Sequence, residues 1–306
     1  MGEGPTAKWA KDTAIQLKCN VCVGYPEIQK VQALEETPSP TGLHATDKCY
    51  NSLLVVGCNG EVLLNYRKRF LYYTDETWAE EGVGWGFHSL GFVTNDSQSM
   101  EKRVKHVPTS FGICMDINPY RFEAPYTAWE FSNQIIDSGS QLVIVSMAWL
   151  STQSPYPFWE GCRPDLDTFN YWIRRFWPLL QRRMKHEGDV DGPLENKTER
   201  KIIIVFANRA GEEQGIERNS SVRYAGTSSI IAITQHSRRS SNDDNILEEN
   251  VTINTHEILE DSDIRILCWD MKTAAEESIC FADTVTEPEM VFAVSGTAYN
   301  ESETAN

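Results

Sequence analysis

Two short runs limit this chain's fold more than any other feature. Residues 141–147 (QLVIVSM) and 201–207 (KIIIVFA) are apolar almost residue for residue. A strand apolar on both faces must be covered on both sides. One stretch with helical spacing precedes the first run and another lies between the two. Residues 126–139 place Trp129, Ile135 and Ile136 on one face and stop at Gly139. Residues 166–187 repeat apolar contacts at Phe169, Trp172, Ile173, Phe176, Leu179, Leu180 and Met184, with Pro178 expected to kink or break the helix. Buried strands alternating with helices predict an α/β fold with a buried sheet. The 306 residues, 41 % hydrophobic and 10 % aromatic, suit one large α/β domain or two ordinary ones.

The rest of the chain fits that frame. Residues 6–18 have helical spacing at Trp9, Ala10, Thr13, Ala14 and Leu17, with Thr6 as a candidate N-cap. Residues 17–25, 50–58 and 61–67 read as strands, the last two joined by an Asn59-Gly60 hairpin turn. Residues 35–47 read as a loop and 68–86 as an irregular stretch of aromatics, acids and glycines. One or two strands over 103–117 lead to Cys114, and further strands are expected at 226–234, 251–258 and 264–269, with an apolar run at 290–294. Residues 187–200 read as a charged linker, 235–250 as a mobile polar loop and 296–306 as a disordered tail.

Charge narrows the partners. Twenty-eight Lys and Arg against 44 Asp and Glu give −16. Phosphate neutralisation needs a basic surface, so nucleic acid is not the expected partner, whereas a cationic peptide is compatible with this field. No apolar run reaches membrane-span length and the first residues do not resemble a signal peptide. Eight cysteines scattered through apolar runs read as reduced thiols of a cytoplasmic or nuclear protein. The lone Cys19-Asn20-Val21-Cys22 pair lies in a strand-like run with no second pair at zinc spacing, so no metal is assigned.

The chemistry concentrates at residues 109–120 (TSFGICMDINPY), an apolar run that climbs to Cys114 and stops in a polar, Pro-containing turn. A thiol at such an elbow can sit exposed at a strand end near backbone N–H groups, which favours a nucleophile. A buried core cysteine is the alternative.

Four segments occur in an order that resembles the nitrilase (carbon–nitrogen hydrolase) superfamily. They are 66–71 (YRKRFL), 111–116 (FGICMD), 143–149 (VIVSMAW) and 207–212 (ANRAGE), the last followed by Gly226-Thr227-Ser228. Residues 112–116 with 119–122 (PYRF) and Ala124-Pro125 are similar to the N-terminal amidase subgroup, which converts an N-terminal Asn or Gln of a protein to Asp or Glu with loss of ammonia, for the N-degron pathway. The resemblance implies a four-layer αββα sandwich in a single domain over 1–300, a Glu-Lys-Cys triad and no metal or cofactor. It makes Cys114 the nucleophile and Lys68 the triad lysine. It places a second acid between them, best matched by Glu76 with Asp75 as the competitor. The backbone at Met115 would help hold the oxyanion, Asp116 would hold the substrate's α-ammonium or else cap the turn, and Trp149 is counted with the substrate-binding residues. Oligomerisation is common in the family.

The triad glutamate should stand upstream, at the end of the first strand. No residue here fits that register, so the expectation is a chain lacking its first strand and helix: a fragment of an active enzyme or a catalytically dead paralogue. Glu27, in Tyr25-Pro26-Glu27, matches the next strand and is not assigned. A different amidase or nitrilase acting on small amides or nitriles is the other reading.

Overall fold

The computed structural model describes residues 3–30, 47–95, 102–152, 163–181, 200–214, 221–235 and 264–293. The readings for residues 35–46, 187–199, 236–250, 251–258 and 296–306 lie outside these ranges.

Helix α1 (Pro5–Leu17) starts with Pro5 at its first position after Gly4, so Thr6 is not the cap. Proline is pre-set for that position and loses no hydrogen bond there. Its buried stripe is Ala7, Ala10 and Ala14, small enough for close contact with Leu54 and Val56 of a three-stranded antiparallel sheet. That sheet runs in the order β1 (Val21–Gln29), β2 (Lys48–Val56), β3 (Val62–Arg67). The β2–β3 turn closes one residue earlier than predicted. Gly60 N–H donates to Gly57 O, so Cys58-Asn59 is the central pair and Gly60 (φ 82°) supplies the left-handed residue after it.

A seven-stranded sheet forms the next layer: β4 (Gly86–Asn95), β5 (Lys102–Ile113), β6 (Leu142–Met147), β7 (Arg200–Asn208), β10 (Ser229–Gln235), β11 (Ile264–Met271) and β12 (Met290–Ala293), adjacent in that order. The pairs β5–β6 and β6–β7 are parallel and the others antiparallel. A short hairpin, β8 (Glu212–Gln214) with β9 (Ser221–Arg223), lies outside it. Strand β4 is a gain over the sequence reading; its two glycines and polar residues weaken the strand signal.

One face of this sheet presents Leu90, Phe111 and Ile113 to Leu53, Val55 and Tyr66 of the small sheet. The other presents Val143, Val145, Ile202, Ile204, Phe206, Ile231 and Ile233 to α2 (Glu130–Asp137), α3 (Leu166–Arg175) and α4 (Trp177–Gln181). The layers are therefore α, β, β, α, as expected, and the two apolar runs are strands covered on both sides. Helix α2 begins only after Trp129, whose left-handed backbone (φ 39°) interrupts the predicted 126–139 helix. The 166–187 helix breaks at Phe176, ahead of Pro178, because a proline ring clashes with the carbonyl four residues back. No helix among the described residues is long and apolar enough to cross a membrane.

The chain passes close to itself where β3 ends. A Cβ on Gly82 would lie 2.1 Å from the Arg67 carbonyl oxygen, so the 69–85 segment folds back over β3 only with glycine there. Gly82→Ala is expected to lower stability by about 2 kcal/mol or more, since backbone cannot yield as a side chain can. The urea-unfolding midpoint measures it.

Candidate active site

Three sheet ends meet here. Strand β5 stops at Ile113 and Cys114 takes a positive φ of 44° before a 3-10 turn over Cys114–Ile117. Left-handed backbone is costly for a residue with a side chain and concentrates at functional sites. The turn aims the thiol at the end of β6, where Ala148 N–H donates to it. Lys68 follows β3 and is tied in place by its own backbone: its N–H donates to Asn51 O (2.7 Å) and its carbonyl accepts from Gly82 N–H (2.8 Å).

The Lys68 side chain is 3 % exposed and ends on Asp75, Nζ to Oδ2 2.5 Å. Asp75 is fixed in turn. Its Oδ1 accepts from Asn51 Nδ2 (3.1 Å) and its Oδ2 from Tyr72 N–H (3.1 Å). Burial pushes the Cys114 thiol above its ordinary range; the Lys68 charge and the Ala148 N–H pull it down, and Asp75 and Asp116 push it further up.

Lys68 lies near enough for its charge to act on Cys114, Met115 follows Cys114 in the turn, and Trp149 follows Ala148, whose N–H donates to the thiol. Met115 is buried, and its N–H belongs to the first turn of a 3-10 segment, where backbone donors have no partner within the helix. The Trp149 N–H donates to Asn208 Oδ1 (2.7 Å) and its ring packs on Tyr171 and Trp172.

Two assignments change. Asp75, not Glu76, is the acid beside Lys68; in the tight Asp75–Thr77 turn successive side chains diverge, and Glu76 faces solvent. Asp116 does not offer a carboxylate to a substrate ammonium. It has no exposed surface, and both oxygens are taken by Arg69 N–H, Phe70 N–H, Ile113 N–H and Tyr66 Oη–H. Burial pushes its carboxyl up, against the pull of those N–H groups and of Lys68. Glu27 lies on the α1 face of β1, away from Cys114, held by Arg67 (2.6 Å), Ser52 and Asn65; burial would raise it, but these bonds leave it below the usual range. The sequence reading passed over Tyr66, Asn51 and Asn208 as site residues. Tyr66 was within reach of it, since residues two apart on a strand share a face with Lys68.

No protein-family model matches the chain. It is similar to the Protein N-terminal amidase of Schizosaccharomyces pombe, 28 % identical over 246 residues, 76 % of this chain and 68 % of that one. It is 35 % identical over 160 residues to the Protein N-terminal amidase of Saccharomyces cerevisiae, 50 % of this chain and 31 % of the relative, so it spans about a third of that protein's length. Crystal structures of N-terminal amidase with an Asn-Glu-Ala peptide and with a Gln-Val peptide share its fold, each with a TM-score of 0.54 over 75 % of this chain and 74 % of theirs, at 22 % and 24 % identity.

The four-layer fold, the elbow cysteine and the buried lysine–carboxylate pair are the features that a resemblance to the nitrilase (carbon–nitrogen hydrolase) superfamily implies. The chain is similar to the protein N-terminal amidases.

Iodoacetamide alkylation of Cys114 should rise with pH and reach its half-maximum above 9.0, the ordinary thiol value, because burial disfavours the thiolate. Lys68→Met removes the charge that favours the thiolate and should move the midpoint higher still. Peptide mass mapping of the alkylated thiol gives both curves.

Proposed function

We propose that this chain hydrolyses the side-chain amide of an N-terminal Asn or Gln on a protein or peptide. The observation that carries the reading is Cys114 on its left-handed elbow beside buried Lys68, in a chain similar to N-terminal amidases. Sγ attacks the amide carbon, and the C–N bond then breaks. Ammonia leaves with the thiol proton, and a thioester remains on Cys114. Water hydrolyses the thioester, giving Asp or Glu and restoring the thiol. The Lys68 ammonium and the Met115 N–H lie where the oxyanion develops. The net charge of −16 suits a substrate that carries an α-ammonium. The free cysteines support a cytoplasmic or nuclear setting.

A specific observation favours a second reading, binding without turnover. General-base duty needs a carboxylate able to take the thiol proton. The two whose charges act most on Cys114 are already engaged, Asp75 with Lys68 and Asp116 with its four donors.

Ammonia release from an Asn-initiated peptide decides between them. The amidase reading expects steady release, a loss of about a thousandfold or more in Cys114→Ala, and little release from the N-acetylated peptide. Preference for free asparagine or a nitrile would point to another carbon–nitrogen hydrolase, and stoichiometric binding with no ammonia to a binding subunit.

A further inference from the structure

The Asp116 side chain touches the backbone on both sides of the centre. Oδ1 accepts from Arg69 N–H (3.2 Å) and Phe70 N–H (2.9 Å), the two residues after Lys68. Oδ2 accepts from Ile113 N–H (2.7 Å), the residue before Cys114, and from Tyr66 Oη–H (2.8 Å), two residues before Lys68. All four groups are donors, so only a group with two acceptor ends satisfies them. The carboxylate has no exposed surface, so water cannot replace it.

We infer that Asp116 is a positioning residue: its carboxylate couples the lysine segment 66–70 to the nucleophile elbow 113–116 and so fixes the separation of Lys68 and Cys114. The inference rests on the amidase reading for its kinetic arm but not for its structural one. Strands β3 and β5 belong to different sheets, so no ladder of backbone hydrogen bonds sets their relative position at this end. Side-chain packing between the sheets, Tyr66 against Phe111 and Ile113, sets their spacing but leaves sliding along it cheap. Four directional bonds to one carboxylate remove that freedom.

Asp116→Asn is nearly isosteric yet breaks the coupling. One end of the amide becomes an NH2 that must face donors, so the bridge fails and both the lysine segment and the elbow are freed. Hydrogen-exchange mass spectrometry is expected to show faster exchange in D116N at 68–71 and at 112–114, with β10 unchanged. Loosening of one segment alone, or of neither, overturns the inference. With an Asn-initiated peptide, kcat should fall about 100-fold, the cost of a misplacement near 1 Å, while KM stays within about threefold. A rise in KM at constant kcat would return Asp116 to substrate binding and overturn the inference. Should D116N fail to fold, Asp116→Glu keeps two acceptor ends at the wrong reach. It is expected to show the same kcat-against-KM split in weaker form, and a KM effect alone is again fatal. A chain that turns over no Asn peptide loses the proposed function, while the exchange experiment still decides the coupling.

Discussion

An ammonium group as deeply buried as that of Lys68 is stable only if a counter-charge and hydrogen bonds replace the water it has lost; unpaired, it would cost several kcal/mol. Asp75 supplies the charge, and Asp75 is itself held by Asn51 and the Tyr72 N–H. Those partners come from different places, β2 and the segment beyond β3, which can meet only because Gly82 lets that segment fold back over Arg67. The charge in the centre thus depends on a glycine several residues away that carries no chemistry of its own.

Consecutive residues of the basic trio do unrelated work because β3 ends at Arg67 and the chain bends away over Lys68 and Arg69. Arg67 points to the helix face, where it grips Glu27 and lies 3.8 Å over the Tyr50 ring. Lys68 points between the sheets. Arg69 contributes its backbone N–H to Asp116 and stacks its guanidinium over Trp85 at 4.5 Å. Three positive charges adjacent in sequence are thus sent by the fold to three partners, Glu27, Asp75 and the Trp85 ring.

The layers were legible in the sequence because period and length speak directly to them: residues 141–147 and 201–207 had to be covered strands, and residues 6–18 a helix, although its buried stripe is Ala7, Ala10 and Ala14 while Trp9 and Leu17 of the spacing read there are exposed. Cys114 was legible as a candidate because it ends an apolar run, whereas Lys68 was picked out only by the family resemblance, since the basic trio Arg67-Lys68-Arg69 reads by itself as solvated charge. Asp75 and Glu76 were not separable, since adjacent acids in an irregular stretch differ only in the phase of a turn that tertiary contacts set. Asp116 had two meanings, ligand for an ammonium or acceptor for backbone donors, and only the positions of Arg69, Phe70 and Ile113 choose between them. Strand β4 lacked a signal because its pairing with β5, not its own composition, makes it a strand.

The raised thiol of Cys114 has a consequence for timing. Burial and two nearby carboxylates hold the sulfur neutral, while Lys68 and the Ala148 N–H stabilise the anion. Burial outweighs the opposing pull, so the neutral thiol is favoured until something else fills the space beside the sulfur. Under the proposed amidase reading, an amide placed there displaces water and offers a developing oxyanion to Lys68, which strengthens that positive contribution when charge must move. Because Asp75 pairs with Lys68 before any substrate arrives, that ammonium must share itself between a carboxylate and the oxyanion. The fixed geometry of Asn51, Asp75 and Asp116 is what allows it to do so without moving.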